Sequence, residues 1–260
     1  MADKSIVFLM YHELEIPGRA LCQLGPGYLR YVLAEADFRA QVQWLKQAGW
    51  RGMSVGEALR SEHGGERKGV AFTFDDGCES DLMAAIPILT EAGYHATFYV
   101  TAGFVGQPGY MSPTQIRELS TLRFEVGCHS MTHAYLDDLD DHGLQREIGQ
   151  AKTQLEQIVG KPVEHFSCPG GRYNTHVIQV ARGAGYRSVA NSRIHGNTPT
   201  TDPFALGRIA IPREIGLPAF QRICRGEGLW KIQLRDGLRN VAKQVLGNSL
   251  YDRGRALLLR

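Results

Sequence analysis

Short apolar runs alternating with stretches of helical periodicity constrain this 260-residue chain more than any other feature. The runs at 5–11, 51–54, 69–75, 95–101, 124–129, 164–168, 187–191 and 207–212 read as strands. The stretches at 35–48, 80–92, 113–121, 138–159, 175–184 and 216–225 read as helices. Gly49, Gly93, Gly160 and Gly185 each follow a helical stretch, as residues just past a helix end should. Such alternation builds βαβ units on a parallel sheet. Seven or eight units in about 220 residues predict an α/β fold, a distorted or incomplete (β/α) barrel of seven to eight parallel strands. An open doubly wound sheet would want a Gly-rich phosphate turn after an early strand, and the sequence has none.

A chain of this length, 43% hydrophobic and 22% charged, can bury a core without disulfides or a structural metal. Its net charge of +2 gives no reason to expect nucleic acid. Five cysteines, an odd count without framework spacing, point to reduced thiols and a reducing compartment. The first apolar run is too short for a signal peptide or a membrane span, so a cytoplasmic location is expected.

In a barrel the C-terminal ends of the strands carry the chemistry. His12 ends the first candidate strand, Asp75 and Asp76 the third, and His129 the fifth. Pro169, Gly170, Gly171 and Arg172 follow the sixth. Adjacent carboxylates after a buried strand are costly unless paired, hydrogen-bonded or metal-bound. Two histidines four apart, His129 and His133, can present both rings to one ion. One carboxylate completes three N/O ligands and leaves a position open for water or substrate. The other is then free to take a proton from that water, which is the equipment of metal-assisted hydrolysis. The competing reading of Asp76 is an N-cap for the helix at 80–92. The competing reading of the 167–174 turn is a simple strand-to-helix loop capped by Asn174. Its functional reading is a groove wall where small residues admit a sugar ring and Arg172 orients an acidic partner or binds substrate. Cys78, Cys128 and Cys168 adjoin these motifs and read as small buried hydrophobes.

On these residues the chain resembles the polysaccharide deacetylases, the NodB-homology domain of carbohydrate esterase family 4. Thr73-Phe74-Asp75-Asp76-Gly77 matches their first motif, and His129-Ser130-Met131-Thr132-His133 their second. Pro169-Gly170-Gly171 matches the turn of their third, and Tyr11-His12 fits the end of their first strand. The resemblance runs over roughly residues 5–215. It implies that Asp75 is the catalytic base and that Asp76, His129 and His133 bind one divalent metal, usually Zn2+, with Co2+, Ni2+ or Fe2+ as substitutes. It implies hydrolysis of the acetamido group of an N-acetylated amino sugar.

Two departures stand out. Many members have an arginine where Ser167 stands, which leaves Arg172 as its substitute or Asp75 without that support. Many also carry a late histidine as general acid; here the candidates are His195, nearest in order, and His12, better placed at a strand end.

The expected organisation is a deacetylase barrel over 1–225 and a basic helical extension over 226–260. Trp230, Leu234, Leu238, Val241 and Val245 recur at helical spacing beside Lys231, Arg235, Arg239 and Lys243. Such a helix either closes the barrel or places residues 229–246 on an anionic membrane at its inner face. Two further readings compete with the deacetylase: a silent carbohydrate-binding barrel, and a C–N hydrolase acting on a small amide.

Overall fold

The computed structural model describes residues 5–61, 68–229 and 233. Each apolar run read from the sequence becomes a strand: β1 (Val7–Tyr11), β4 (Arg51–Met53), β5 (Gly69–Asp76), β6 (Thr97–Val100), β7 (Glu125–Cys128), β8 (His165–Ser167), β9 (Ser188–Ala190) and β10 (Ile209–Ala210). A short parallel pair, β2 (Leu14–Glu15) and β3 (Leu33–Ala34), lies outside this set and was not anticipated.

The eight form one parallel sheet in the order β10-β1-β5-β6-β7-β8-β9, with β4 also on β5. The eight-residue β5 organises it. Its residues Val70–Phe74 pair with β1. Its other edge is shared, Gly69–Ala71 taking β4 and Thr73–Asp76 taking β6. Leu206 bridges to Ala190, and Ile209 and Ala210 then pair with β1. The run 206–210 therefore spans from β9 towards β1 and curls the sheet into a distorted (β/α) barrel.

Successive strand residues point to opposite faces, and both faces are buried here. Leu9, Phe72, Phe74, Phe98, Phe166 and Val189 belong to one large apolar cluster shared with the helices. Phe8, Ala71, Tyr99, Ala190 and Leu206 form a second, smaller cluster. This explains why β5 reads as a continuous apolar run rather than an alternating one. Phe72 and Phe74 are fully buried, and each contributes about 1.5–3 kcal/mol by leaving water.

The helices match their expected ranges to within a few residues. Glu35–Gln47, Pro113–Thr121, Thr175–Gly183 and Leu217–Cys224 are α-helical. Asp81–Ala92 opens with a wide turn over Asp81–Ala85 just before Pro87, which lacks the N–H a regular turn would use. Asn174 caps its helix as expected, its side chain accepting from the Val177 N–H. Val55–Arg60, opened by a Ser54/Glu57 capping box, is a further helix outside the expected set. Gly49, Gly93, Gly160 and Gly185 all take left-handed φ. The basic helix expected over 226–260 lies almost wholly outside the described residues. Among the described residues no helix is long and apolar enough to cross a membrane.

Candidate active site

Strand alternation alone would send Asp75 and Asp76 to opposite faces. Asp76 escapes it by taking a left-handed φ of 80°, and Gly77 continues the turn at φ 82°. The side chain of Asp76 caps no helix: the following helix starts at Asp81, behind Ser80. The N-cap reading is thus replaced by a strained strand end, a feature concentrated at functional sites.

His129 and His133 meet Asp76 without forming a helical turn. Ser130 and His133 both adopt left-handed φ, 66° and 62°. Glu147, buried on the neighbouring helix, pins this turn. It accepts hydrogen bonds from Met131 N at 3.0 Å, Thr132 N at 2.7 Å and Thr132 Oγ1 at 2.8 Å. The Ser130 hydroxyl accepts from His133 N at 2.9 Å. The imidazole rings stand 5.0 Å apart. Asp76 Oδ1 lies 3.7 Å from His129 Nε2 and 3.6 Å from His133 Nε2.

These residues fit a divalent cation. Asp76 Oδ1 is buried with no hydrogen-bond partner. His129 Nδ1 lies 2.9 Å from the Ser167 carbonyl and donates to it, which leaves the Nε2 lone pair facing the aspartates. Four ligands about 2.0–2.1 Å from a tetrahedral ion stand roughly 3.3–3.4 Å from one another, within a few tenths of an ångström of the observed separations. Burial lowers both histidines, His129 to about 3 with His133 and Arg208 adding to the effect and Asp75 opposing it. Neutral imidazole is the ligand form. Burial raises Asp76 to about 6, with Asp75 and Glu13 adding and His12 opposing. A cation would reverse that shift.

Asp75 has a different environment. Burial alone would raise its carboxyl; Arg208, His129 and His12 outweigh that and hold it well below the usual carboxylate range. Arg208 grips both oxygens, Nη1 to Oδ1 at 2.7 Å and Nη2 to Oδ2 at 2.8 Å. The same guanidinium donates to Ser167 Oγ at 2.7 Å, Thr73 Oγ1 at 3.2 Å and the Asn191 carbonyl at 3.2 Å. Neither alternative drawn from Ser167 therefore holds: Asp75 has its arginine, and it is not Arg172. Arg172 stacks on Tyr135 at 4.4 Å and faces Asp137 and Asp138 at 3.7 and 3.8 Å.

His12 sits at the site, close enough to Asp75 and Asp76 to act on both carboxyls. Its ring stacks on Tyr31 at 5.2 Å, and its Nδ1 is buried without a hydrogen bond. His195 lies beside Gly207, with Nδ1 3.1 Å from the Gly196 carbonyl. No described hydrogen bond, ion pair or ring contact joins it to Asp75, Asp76, His129 or His133. In the 169–172 turn Pro169 is buried, and Gly170 and Gly171 take φ of 61° and 68°. A Cβ on Gly171 would overlap the Ser192 side chain, so that space is filled by protein rather than left open. A separate cavity of about 370 Å³, lined by His95, Glu125, Lys161 and His165, opens where strands begin, away from these groups.

Residues 62–189 match the family model described as polysaccharide deacetylase. This stretch belongs to the polysaccharide deacetylase family. Bacillus subtilis YxkH, whose name assigns it provisionally to the polysaccharide deacetylases, is 24% identical over 215 residues, covering 82% of this chain and 73% of its own. The chitooligosaccharide deacetylase of Azorhizobium caulinodans is 30% identical over 141 residues, 53% of this chain and 64% of its own. The fold is shared with the Streptococcus pyogenes deacetylase PplD, at a TM-score of 0.74 and 21% identity over 85% of this chain and 98% of that one.

Proposed function

We propose that this polysaccharide deacetylase homologue is a metal-dependent hydrolase that removes the acetyl group from an N-acetylated amino sugar in a polysaccharide, oligosaccharide or lipid-linked glycan. One observation carries the reading. A carboxylate held ionised by Arg208 lies beside a carboxylate–imidazole–imidazole triad, with His129 Nε2 3.7 Å from an oxygen of each aspartate.

Asp76, His129 and His133 would hold the ion, of the zinc class, which would supply polarisation of the acetyl carbonyl and acidification of a water. Asp75 takes the proton from the attacking water. Arg208 fixes both its oxygens, so the base is charged and oriented before substrate arrives, at some cost in basicity. His12 returns a proton to the departing amine nitrogen, completing hydrolysis to acetate and free amine. Its place beside both aspartates favours it over His195. Pro169, Gly170, Gly171 and Arg172 contribute a wall on the Ser167 side, with Arg172 and Tyr135 available to a sugar ring.

The intact base speaks against a silent binding barrel, since a binder has no use for a buried carboxylate held ionised beside imidazoles. The similarity to a chitooligosaccharide deacetylase favours a glycan over a small amide. A cytoplasmic location, with residues 229–246 on an anionic membrane face, belongs to the same reading; sedimentation with anionic vesicles tests it. The function itself is tested by acetate release from N-acetylglucosamine oligomers by the metal-loaded protein. Release from small acetamides but from no glycan would overturn the substrate class.

A further inference from the structure

Cys22 and Cys78 are neighbours across the edge of the site. Cys78 follows the Asp75-Asp76-Gly77 turn and is fully buried; Cys22 is partly exposed. Their Sγ atoms lie within 4.8 Å of one another, and Cys22 Sγ is held 3.0 Å from the Gly109 carbonyl. Backbone packing brings them together. A Cβ on Gly109 would stand 2.9 Å from Cys22 Sγ and 3.3 Å from Cys22 Cα, so only glycine admits Cys22 there. The next residue, Tyr110, is bridged to Cys78. Arg19 Nη2 lies 3.8 Å from Cys22 Sγ. The neighbouring Cys78 thiol, helped by Arg19, lowers the Cys22 thiol against burial and Glu13. Burial pushes Cys128 and Cys168 up to about 12.

We propose that Cys22 and Cys78 are a reversible disulfide-exchange site that fastens the segment 16–32 to the Asp75–Asp76 turn. The Cys22 thiolate attacks one sulfur of a small disulfide, whose S–S bond breaks and releases a first thiol. The Cys78 sulfur then attacks Cys22 Sγ and expels the second thiol. Two protein thiols are oxidised, the small disulfide is reduced to two thiols, and the cysteine protons pass to them. The segment so fastened carries Tyr31, stacked on His12, and Tyr28, whose hydroxyl donates to Glu13 at 2.8 Å. Glu13, Cys22 and Cys78 also have the spacing of metal ligands. The Glu13 oxygens, however, already accept from Arg19, Tyr28 and the Cys22 N–H, and the guanidinium opposes a cation.

The test treats the folded full chain with oxidised glutathione, alkylates the remaining thiols and maps peptides by mass. The expected result is a Cys22–Cys78 cross-linked peptide and the loss of two hydrogens, reversed by reductant. Cys22→Ser and Cys78→Ser should each abolish it, while Cys224→Ser keeps it. Free alkylated Cys22 and Cys78, a reaction that stops at glutathionylated Cys22, a cross-link between other cysteines, or a metal ion bound to both thiols would each overturn the proposal.

Discussion

Arg208 and Asp75, 133 residues apart, form a buried two-pronged ion pair at 2.7 and 2.8 Å. The arginine is contributed just ahead of β10, the strand that pairs with β1, and reaches the end of β5. Its hydrogen bond to Ser167 Oγ draws β8 into the same network.

Removing this arginine leaves a buried carboxylate uncompensated. Arg208→Met should cost about 3–5 kcal/mol of stability, read by denaturant unfolding. Arg208→Lys should recover only part, because an ammonium cannot reproduce the fork. Adding Ser167→Arg to Arg208→Met should restore stability and turnover by refilling the vacated space. Wild-type stability in Arg208→Met alone would refute the pairing.

Elemental analysis of purified variants checks the ligand assignment. Asp76→Ala, His129→Ala and His133→Ala should each lose the bound ion. Glu147→Ala, which frees the turn carrying both histidines, should weaken metal affinity about 10–100-fold without touching a ligand. Full metal content in His133→Ala would remove it from the set.

Glu125 gives a pH-dependent prediction away from the paired aspartates. Burial alone would raise its carboxyl; the His165 imidazole 3.4 Å away and hydrogen bonds from Thr97 and the Gly56 N–H outweigh it and lower the carboxyl below its ordinary value. A carboxyl lowered in the folded state stabilises above its unfolded pKa and loses that contribution as pH falls through the folded one. Glu125→Gln should therefore be less stable than wild type at pH 7, by about 1–3 kcal/mol. The gap should close as pH falls below about 4. A gap that is constant with pH would contradict it.

Gly171→Ala should destabilise by more than about 1 kcal/mol, because φ is 68° and the new Cβ meets Ser192. Thermal unfolding reads this directly. A neutral effect would mean that the turn relaxes away from Ser192.

The barrel was legible because each strand is a short apolar run and each helix ends on a glycine or turn. The convergence of Asp75, Asp76, His129 and His133 was legible because two of them end a strand and the other two follow one. What failed depended on the third dimension. Arg208 lay in plain view between Leu206 and Ile209, and a charge inside a buried strand must find a partner, but periodicity cannot say which. The left-handed φ of Asp76, Ser130 and His133 has only a weak local signal, since Asp and His are enriched there but adopt it far less readily than glycine. Nothing in the local sequence singles out Glu147, whose part comes from its hydrogen bonds to the histidine turn. His195 followed order along the chain, whereas the fold sets it beside Gly207.

The most direct test of the central claim compares wild type with Asp75→Asn for bound metal and for acetate released from N-acetylglucosamine oligomers. The account predicts equal metal content in both, with turnover in the variant reduced about 10²–10⁴-fold. Undiminished acetate release by Asp75→Asn with its metal in place would contradict it.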